Sequence, residues 1–219
     1  MKKVIVFDLD DTLYYEVQFV ESAFNYISRY LYSRFNINIQ YQIKSLIETK
    51  EFNLYDWIVS NTEINSNDFP LTLYLNLYRY HFPSIHLTND TEQLLKRLKA
   101  LGYKLGIITD GRSITQRNKI KALGLEQYID IMIISEETGY SKPDKYNFRL
   151  IENYYPAGSH FTYIGDNTSK DFEYTHISDK WDSICLQDIG LNIHQQNLSS
   201  LREKGIISVK NLKEIIEII

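Results

Sequence analysis

The chain has little cysteine, glycine or proline, and it lacks both long apolar runs and an excess of positive charge. One cysteine, Cys185, excludes an intramolecular disulfide framework and favours a reducing compartment. No apolar run reaches the ~18 residues of a membrane-spanning helix. The run from Val4 to Phe7 is also shorter than the ~7–15 residues of a secretory signal core. The formal net charge of −4 argues against nucleic acid, which needs a strongly basic face. We therefore expect a cytoplasmic protein that binds neither membranes nor nucleic acid.

The residues that are present indicate an ordinary globular protein. Hydrophobic residues make up 43% of the chain and charged residues 24%. The 14% of aromatic residues, 18 of them tyrosines, offer enough apolar area to exclude disorder as the main state. Nine glycines and four prolines form no low-complexity linker, and no internal repeat is visible. The length of 219 residues suggests one to two domains.

Two kinds of hydrophobic pattern divide the chain. The continuous apolar run of residues 2–7 predicts a strand that is buried on both faces, as in a parallel sheet. Residues 15–88 carry apolar side chains at helical spacing, such as Val20, Phe24 and Ile27, and predict a helical block. From Asn89, which with Glu92 indicates a helix start of the capping-box type, helix-like and strand-like segments alternate. The helix-like segments are 89–101, 113–123, 145–155, 168–178 and 211–219, and the strand-like ones are 103–109, 131–134, 161–165, 183–186 and 206–209.

This alternation predicts an α/β protein with a doubly wound, Rossmann-like parallel sheet. Right-handed crossovers would place helices on both faces of the sheet. The helical block interrupts the pattern after the first strand, so we expect it to be an inserted domain. The predicted boundaries are 1–14 and 89–219 for the α/β core and 15–88 for the helical insertion.

Polar residues follow four of the predicted strands, where an open parallel sheet binds its ligands. They comprise acids, one hydroxyl and one lysine: Asp8, Asp10, Thr109, Asp110, Lys142, Asp166 and Asp171. The carboxylates of Asp8, Asp10, Asp166 and Asp171 would share one cleft, and four of them cannot all stay ionised beside a single lysine. A divalent cation with oxygen ligands would compensate them, and Mg²⁺ is the usual occupant of carboxylate-and-phosphate sites. The Thr109 hydroxyl and Lys142 suit phosphate oxygens, and backbone N–H groups after Thr109, at Asp110 and Gly111, would add an anion nest.

Competing motifs are absent. Leu13 stands where a calcium loop beginning at Asp8 needs glycine. No Gly-x-Gly, no phosphate-binding P-loop pattern and no Gly-x-Ser-x-Gly elbow occurs.

Four segments together resemble the motifs of the haloacid dehalogenase-like (HAD) hydrolase superfamily, in family order: FDLDDTL, IITDG, the lysine of GYSKPD, and GDNTSKD. The helical block resembles the family's inserted α-helical cap. Two departures fall outside the reacting groups: Tyr174 and Asp179 stand where glycine is usual, and Lys145 replaces a proline. The resemblance implies a phosphatase rather than a dehalogenase, because Asp10 is an acid, as in the phosphatases.

The resemblance also implies a role for each motif residue. Asp8 would be the nucleophile that forms an aspartyl-phosphate, and Asp10 the general acid and base that also lends its backbone carbonyl to the metal. Lys142 and Thr109 would neutralise and orient the phosphoryl group, with Asp110 and Gly111 contributing backbone N–H groups. Asp166 would bind Mg²⁺ directly, while Asp171 would act through water or orient Lys142.

The expected function is therefore Mg²⁺-dependent hydrolysis of a small phosphate ester. The cap segment holds five Lys+Arg and seven Asp+Glu, so a polyanionic substrate is not expected, and the cations Arg29, Arg34, Lys44 and Arg79 are open as substrate contacts. Two alternatives stay open: a phosphoglucomutase-like phosphotransferase, and a signalling module whose Asp8 is phosphorylated without turnover. The sequence leaves the substrate and the oligomeric state undetermined.

Overall fold

Within residues 3–219, which a computed structural model of the protein describes, six strands run parallel in one sheet. Their bounds are β1 Lys3–Phe7, β2 Lys104–Thr109, β3 Ile131–Ile134, β4 His160–Gly165, β5 Trp181–Leu186 and β6 Ile207–Val209. The order across the sheet is β3-β2-β1-β4-β5-β6. The chain therefore winds outward from β1 in both directions, as a doubly wound sheet does. The predicted parallel α/β sheet is confirmed, and the predicted first residue of β1, Lys2, lies outside the described residues.

Helices cover the sheet and fill the inserted segment. Their bounds are α1 Glu16–Phe35, α2 Gln40–Thr49, α3 Leu54–Asn61, α4 Leu71–Tyr80, α5 Asn89–Ala100, α6 Ser113–Ala122, α7 Ser135–Thr138, α8 Tyr146–Tyr154, α9 Leu198–Glu203 and α10 Ile215–Ile218. Single 3₁₀ turns lie at Leu125–Gln127, Thr175–Ile177 and Leu212–Glu214. None of the helices in the described part of the chain is long and apolar enough to cross a membrane.

Both faces of the sheet are buried, which explains the continuous apolar character of β1. Ile5 and Phe7 pack into one apolar cluster, whereas Val4 and Val6 pack into a second cluster on the other face. Successive side chains of a strand point to opposite faces, so one short run supplies two layers of core. A third cluster, centred on Phe24 and other apolar residues of α1 to α4, fills the inserted segment.

The register of the central strands places their carboxyl ends at one level. Phe7 pairs with Ile107 on β2 and with Ile164 on β4. The backbone N–H of Asp8 then donates to the Ile164 carbonyl at 2.8 Å. The residues that follow β1, β2 and β4 therefore share one edge of the sheet.

Two local predictions are wrong. Residues 168–178 do not form an α-helix; they form turns followed by the 3₁₀ turn Thr175–Ile177. The Asn167 side chain accepts hydrogen bonds from the Ser169 N–H and hydroxyl, and such local bonds compete with helix formation. The cap of α5 is Thr88, whose hydroxyl accepts from the Thr91 N–H at 3.1 Å, and not Asn89.

Candidate active site

Asp8 lies buried at the end of the central strand, with one carboxylate oxygen engaged. Its Oδ1 accepts a hydrogen bond from the Leu9 N–H at 2.8 Å and lies 2.8 Å from the Lys142 Nζ. Burial raises the pKa of Asp8 to about 7; Lys142 pulls it down, and the nearby Asp171 pushes it up. Oδ2 is therefore the oxygen left to face an incoming group.

Lys142 is fully buried between three oxygen atoms. Its Nζ lies 2.8 Å from Asp8 Oδ1, 2.8 Å from Asp171 Oδ1 and 3.0 Å from the Tyr163 hydroxyl. Burial disfavours the ammonium, but Asp171 and Asp8 more than offset this and hold the pKa of Lys142 well above its usual value. Both Asp171 oxygens are occupied, because Oδ2 accepts from the Asn167 N–H at 2.9 Å. Asp171 thus holds the Lys142 ammonium in position beside Asp8.

The carboxylates of Asp8, Asp166 and Asp171 come together closely enough to bind one cation. One oxygen of each lies within 4.8 Å of the others, and all three residues are buried. Burial, reinforced by Asp8 and Asp171, raises the pKa of Asp166 to about 8. Buried acids that repel one another in this way are suited to bind a cation. Because all the donor atoms are oxygens, they fit a hard divalent metal ion.

Asp10 is held by three donors: Tyr14 from its own loop, and Gln116 and Lys119 from α6. Its Oδ1 lies 2.6 Å from the Lys119 Nζ and accepts from the Tyr14 hydroxyl at 2.5 Å. Its Oδ2 accepts from the Gln116 amide at 2.8 Å. Burial alone would raise the pKa of Asp10, but Lys119 and the hydrogen bonds outweigh it and leave this pKa below its usual value.

The predicted phosphate-binding residues Thr109, Asp110 and Gly111 each make different hydrogen bonds. Thr109 is buried at the end of β2, and its Oγ1 accepts from the Gln116 amide at 2.6 Å. Asp110 accepts from the Lys142 N–H at 3.1 Å and from the Lys170 Nζ at 3.2 Å. The Gly111 N–H donates to the Ser135 hydroxyl at 2.9 Å, so that amide is already occupied.

A cavity of about 150 Å³ lies above these residues. Its lining is largely polar and contains no Phe, Tyr or Trp ring: Asp8, Asp10, Asp11, Glu16, Thr109, Asp110, Asp166, Asn167, Lys170 and His194. The four cations left open as substrate contacts, Arg29, Arg34, Lys44 and Arg79, are not in this lining.

Sequence reasoning missed several residues of the site. Tyr163 braces Lys142, Lys119 and Gln116 hold Asp10, and Asn192 donates to Asp166 Oδ2 at 2.8 Å. Asp11 accepts from the Glu16 and Ile193 N–H groups, as a structural turn acid does.

Comparison with known proteins identifies the family of the chain. The profile of the haloacid dehalogenase-like hydrolase family matches residues 5–177. The chain belongs to this family. Two similar curated proteins are glyceraldehyde 3-phosphate phosphatases: that of Methanocaldococcus jannaschii is 32% identical over 79% of this chain and 80% of its own, and that of Methanothermobacter thermautotrophicus is 30% identical over 69% and 70%. The protein is therefore a hydrolase of phosphoric esters.

Solved structures confirm the fold of this HAD-like hydrolase. YfnB of Bacillus subtilis, described as bound to magnesium and as showing interdomain movement, matches with a TM-score of 0.67 over 99% of this chain and 98% of its own, at 20% identity. A HAD phosphatase of Thermococcus onnurineus matches with a TM-score of 0.59 over 100% and 97%, at 21% identity.

Proposed function

We propose that this HAD-like hydrolase is a Mg²⁺-dependent phosphatase of a small phosphorylated metabolite and that it works through an aspartyl-phosphate. The observation that carries the proposal is the pairing of Asp8 with Lys142, next to Asp10 and Thr109 in one polar cavity. In this proposal Mg²⁺ is held by Asp8, the Asp10 carbonyl and Asp166, with Asp171 acting indirectly. When bound, the ion offsets the carboxylate charge and stabilises charge on the phosphoryl oxygens.

The chain's own residues account for both steps of the reaction. In the first, Asp8 Oδ2 bonds to phosphorus, the bond to the leaving oxygen breaks, and Asp10 in its protonated form gives that oxygen its proton and becomes the carboxylate that the second step protonates again. In the second, water bonds to phosphorus and loses its proton to Asp10, and the electron pair of the Asp8–phosphorus bond returns to Asp8. In both steps Lys142 offsets the negative charge beside Asp8, while the Thr109 hydroxyl and the Asp110 backbone N–H hold the phosphoryl oxygens.

Glyceraldehyde 3-phosphate, or another short polar phosphate, is the substrate class we propose. Five glyceraldehyde 3-phosphate phosphatases are among the similar proteins. A cavity of about 150 Å³ with a largely polar lining suits a few carbons bearing oxygen, and its lining offers no Phe, Tyr or Trp ring on which a nucleobase would stack.

We also propose that residues 15–88 form a cap domain over a core of residues 1–14 and 89–219. Two contacts support this arrangement. Glu16 at the start of α1 lines the cavity, and Lys50, which follows α2, donates to the Gly190 and Asn192 carbonyls in the loop after β5. The buried, unpaired Cys185 supports a reducing compartment, and the cytoplasm is our proposal for it.

The proposal is tested by the release of inorganic phosphate from glyceraldehyde 3-phosphate, from pyrimidine nucleoside monophosphates and from p-nitrophenyl phosphate, with and without Mg²⁺. We expect Asp8→Asn to abolish release from all of them, whereas Asp179→Asn, the same change at an exposed position, leaves release intact. Activity that survives Asp8→Asn or thorough chelation would contradict the proposal. Isomerisation of a sugar phosphate without phosphate release would instead identify the phosphotransferase alternative.

A further inference from the structure

Lys119 is a buried cation that the proposed reaction does not use. Its side chain on α6 is 3% exposed, and its Nζ lies 2.6 Å from Asp10 Oδ1 and 3.5 Å from Glu16 Oε1. The Nζ also lies 4.3 Å from the centre of the Phe19 ring, at cation–π distance. A buried charge persists only when it is paired, and here both carboxylates that pair it line the substrate cavity.

The hydrogen bonds of Asp10 show what this pairing does. An ionised carboxylate offers about four acceptor positions. Lys119 and Tyr14 occupy two of them on Oδ1, and Gln116 occupies one on Oδ2. The remaining acceptor position belongs to Oδ2, on a residue of the cavity lining. Lys119 and Gln116 hold opposite oxygens, so together they fix the rotation of the carboxylate and hence the direction of that open position.

We propose that Lys119 is a positioning residue for the second half of the reaction, which holds Asp10 so that Oδ2 takes the proton of the attacking water. The inference rests on the proposed function. In this step the water oxygen bonds to phosphorus, the Asp8–phosphorus bond breaks, and the proton moves to Asp10 Oδ2. Without Lys119 the carboxylate would turn away from the water, and the aspartyl-phosphate would persist.

The test uses Lys119→Met with p-nitrophenyl phosphate, whose phenolate leaves without needing a proton from Asp10. The first step should therefore continue while the second slows. We expect a burst of one phenolate per enzyme, a kcat lower by roughly 10- to 100-fold, and a KM lowered in step so that kcat/KM changes little. Lys121→Met, at an exposed position of the same helix, is the matched control and should show neither the burst nor the fall.

Three results would overturn the inference: unchanged kinetics, a kcat and kcat/KM that fall together, or a lower kcat without a burst. Lys119→Met leaves two partly buried acids, Asp10 and Glu16, without their cation. The double variant Lys119→Met with Glu16→Gln removes one charge of each sign, and it is assayed in parallel by the same criterion. If neither variant folds, Lys119 is structural and the inference also fails. A wild-type protein that releases no phosphate from any ester would refute the proposed function instead.

Discussion

At the scale of single residues, the position of Asp171 depends on the absence of a side chain at Gly165. A Cβ added to Gly165 would lie 2.9 Å from Asp171 Cγ and 3.0 Å from the Tyr163 ring, closer than the packing allows. Gly165→Ala should therefore displace Asp171 and with it Lys142. We expect kcat to fall by roughly 10- to 100-fold, the usual effect of losing a partner that orients a reacting group.

The control is Gly106→Ala, the same change on β2, where the new Cβ meets Ile131 at 3.2 Å and no residue of the site. Thermal unfolding of both variants and kcat of the folded protein separate the two effects. If Gly165→Ala lowers the unfolding temperature but keeps full kcat, the reaction does not depend on the position of Asp171 beside Lys142.

Residues that follow strands could be predicted from the sequence, and residues that reach the site from elsewhere could not. Asp8, Thr109 and Asp166 each come at or directly after the end of a strand, so a parallel sheet places them together whatever the details of packing. Lys119 meets Asp10 across 109 positions of the chain, and Asn192 meets Asp166 from a loop. Those contacts depend on the rotation of a helix and the path of a loop, which no spacing in the sequence encodes.

At the scale of elements, the loop after β5 supports the proposed metal site. Asn192 donates to Asp166 Oδ2 at 2.8 Å, while the Asp188 side chain accepts from three successive N–H groups, of Gly190, Leu191 and Asn192. We expect Asn192→Ala to raise the Mg²⁺ concentration for half-maximal activity by roughly 10-fold, with little change at saturating Mg²⁺.

A Mg²⁺ titration of phosphate release measures this effect. Gln195→Ala, three residues along the same loop at an exposed position, should titrate like the wild type. An unchanged Mg²⁺ dependence in Asn192→Ala would show that the loop does not act through Asp166.

Element prediction succeeded where long hydrophobic patterns decide the outcome. The helical character of residues 15–88 and the strands β1 to β5 follow directly from apolar patterns, although α3 was not predicted separately. Residues 168–178 failed because polar side chains, chiefly Asn167, bind the local backbone and override a helical spacing. The one-turn helix α7 was not predicted, since four residues are too few to show a period.

At the scale of the whole molecule, the proposed metal should couple stability to pH. The folded pKa values of Asp8, about 7, and Asp166, about 8, lie above the ordinary value of 3.8. Their contribution to the stability of the metal-free protein is therefore fully present below about pH 4 and is lost as the pH rises towards about 8. Added Mg²⁺, which favours the ionised acids, should raise the unfolding temperature more at about pH 8 than at about pH 5.

Thermal unfolding across this pH range, with and without Mg²⁺, measures the coupling. The Mg²⁺ effect should shrink at every pH in Asp166→Asn, because that variant lacks one of the acids. A stabilisation by Mg²⁺ that is the same at both ends of the range would contradict a site built from acids with raised pKa values.

The long first helix of the insertion has a mechanical consequence. α1 has 20 residues, so it is a rod about 30 Å in length. Its first residue is anchored at the site, because the Glu16 N–H donates to Asp11 Oδ1 at 2.8 Å, while the helix continues into the apolar cluster of the insertion. A tilt of about 10° around that anchor would sweep the far end through about 5 Å and barely shift the first turn. If residues 15–88 form the proposed cap, we expect α1 to tilt about its first turn, beside Asp11, so that the far end of the cap moves while the reacting groups stay in place.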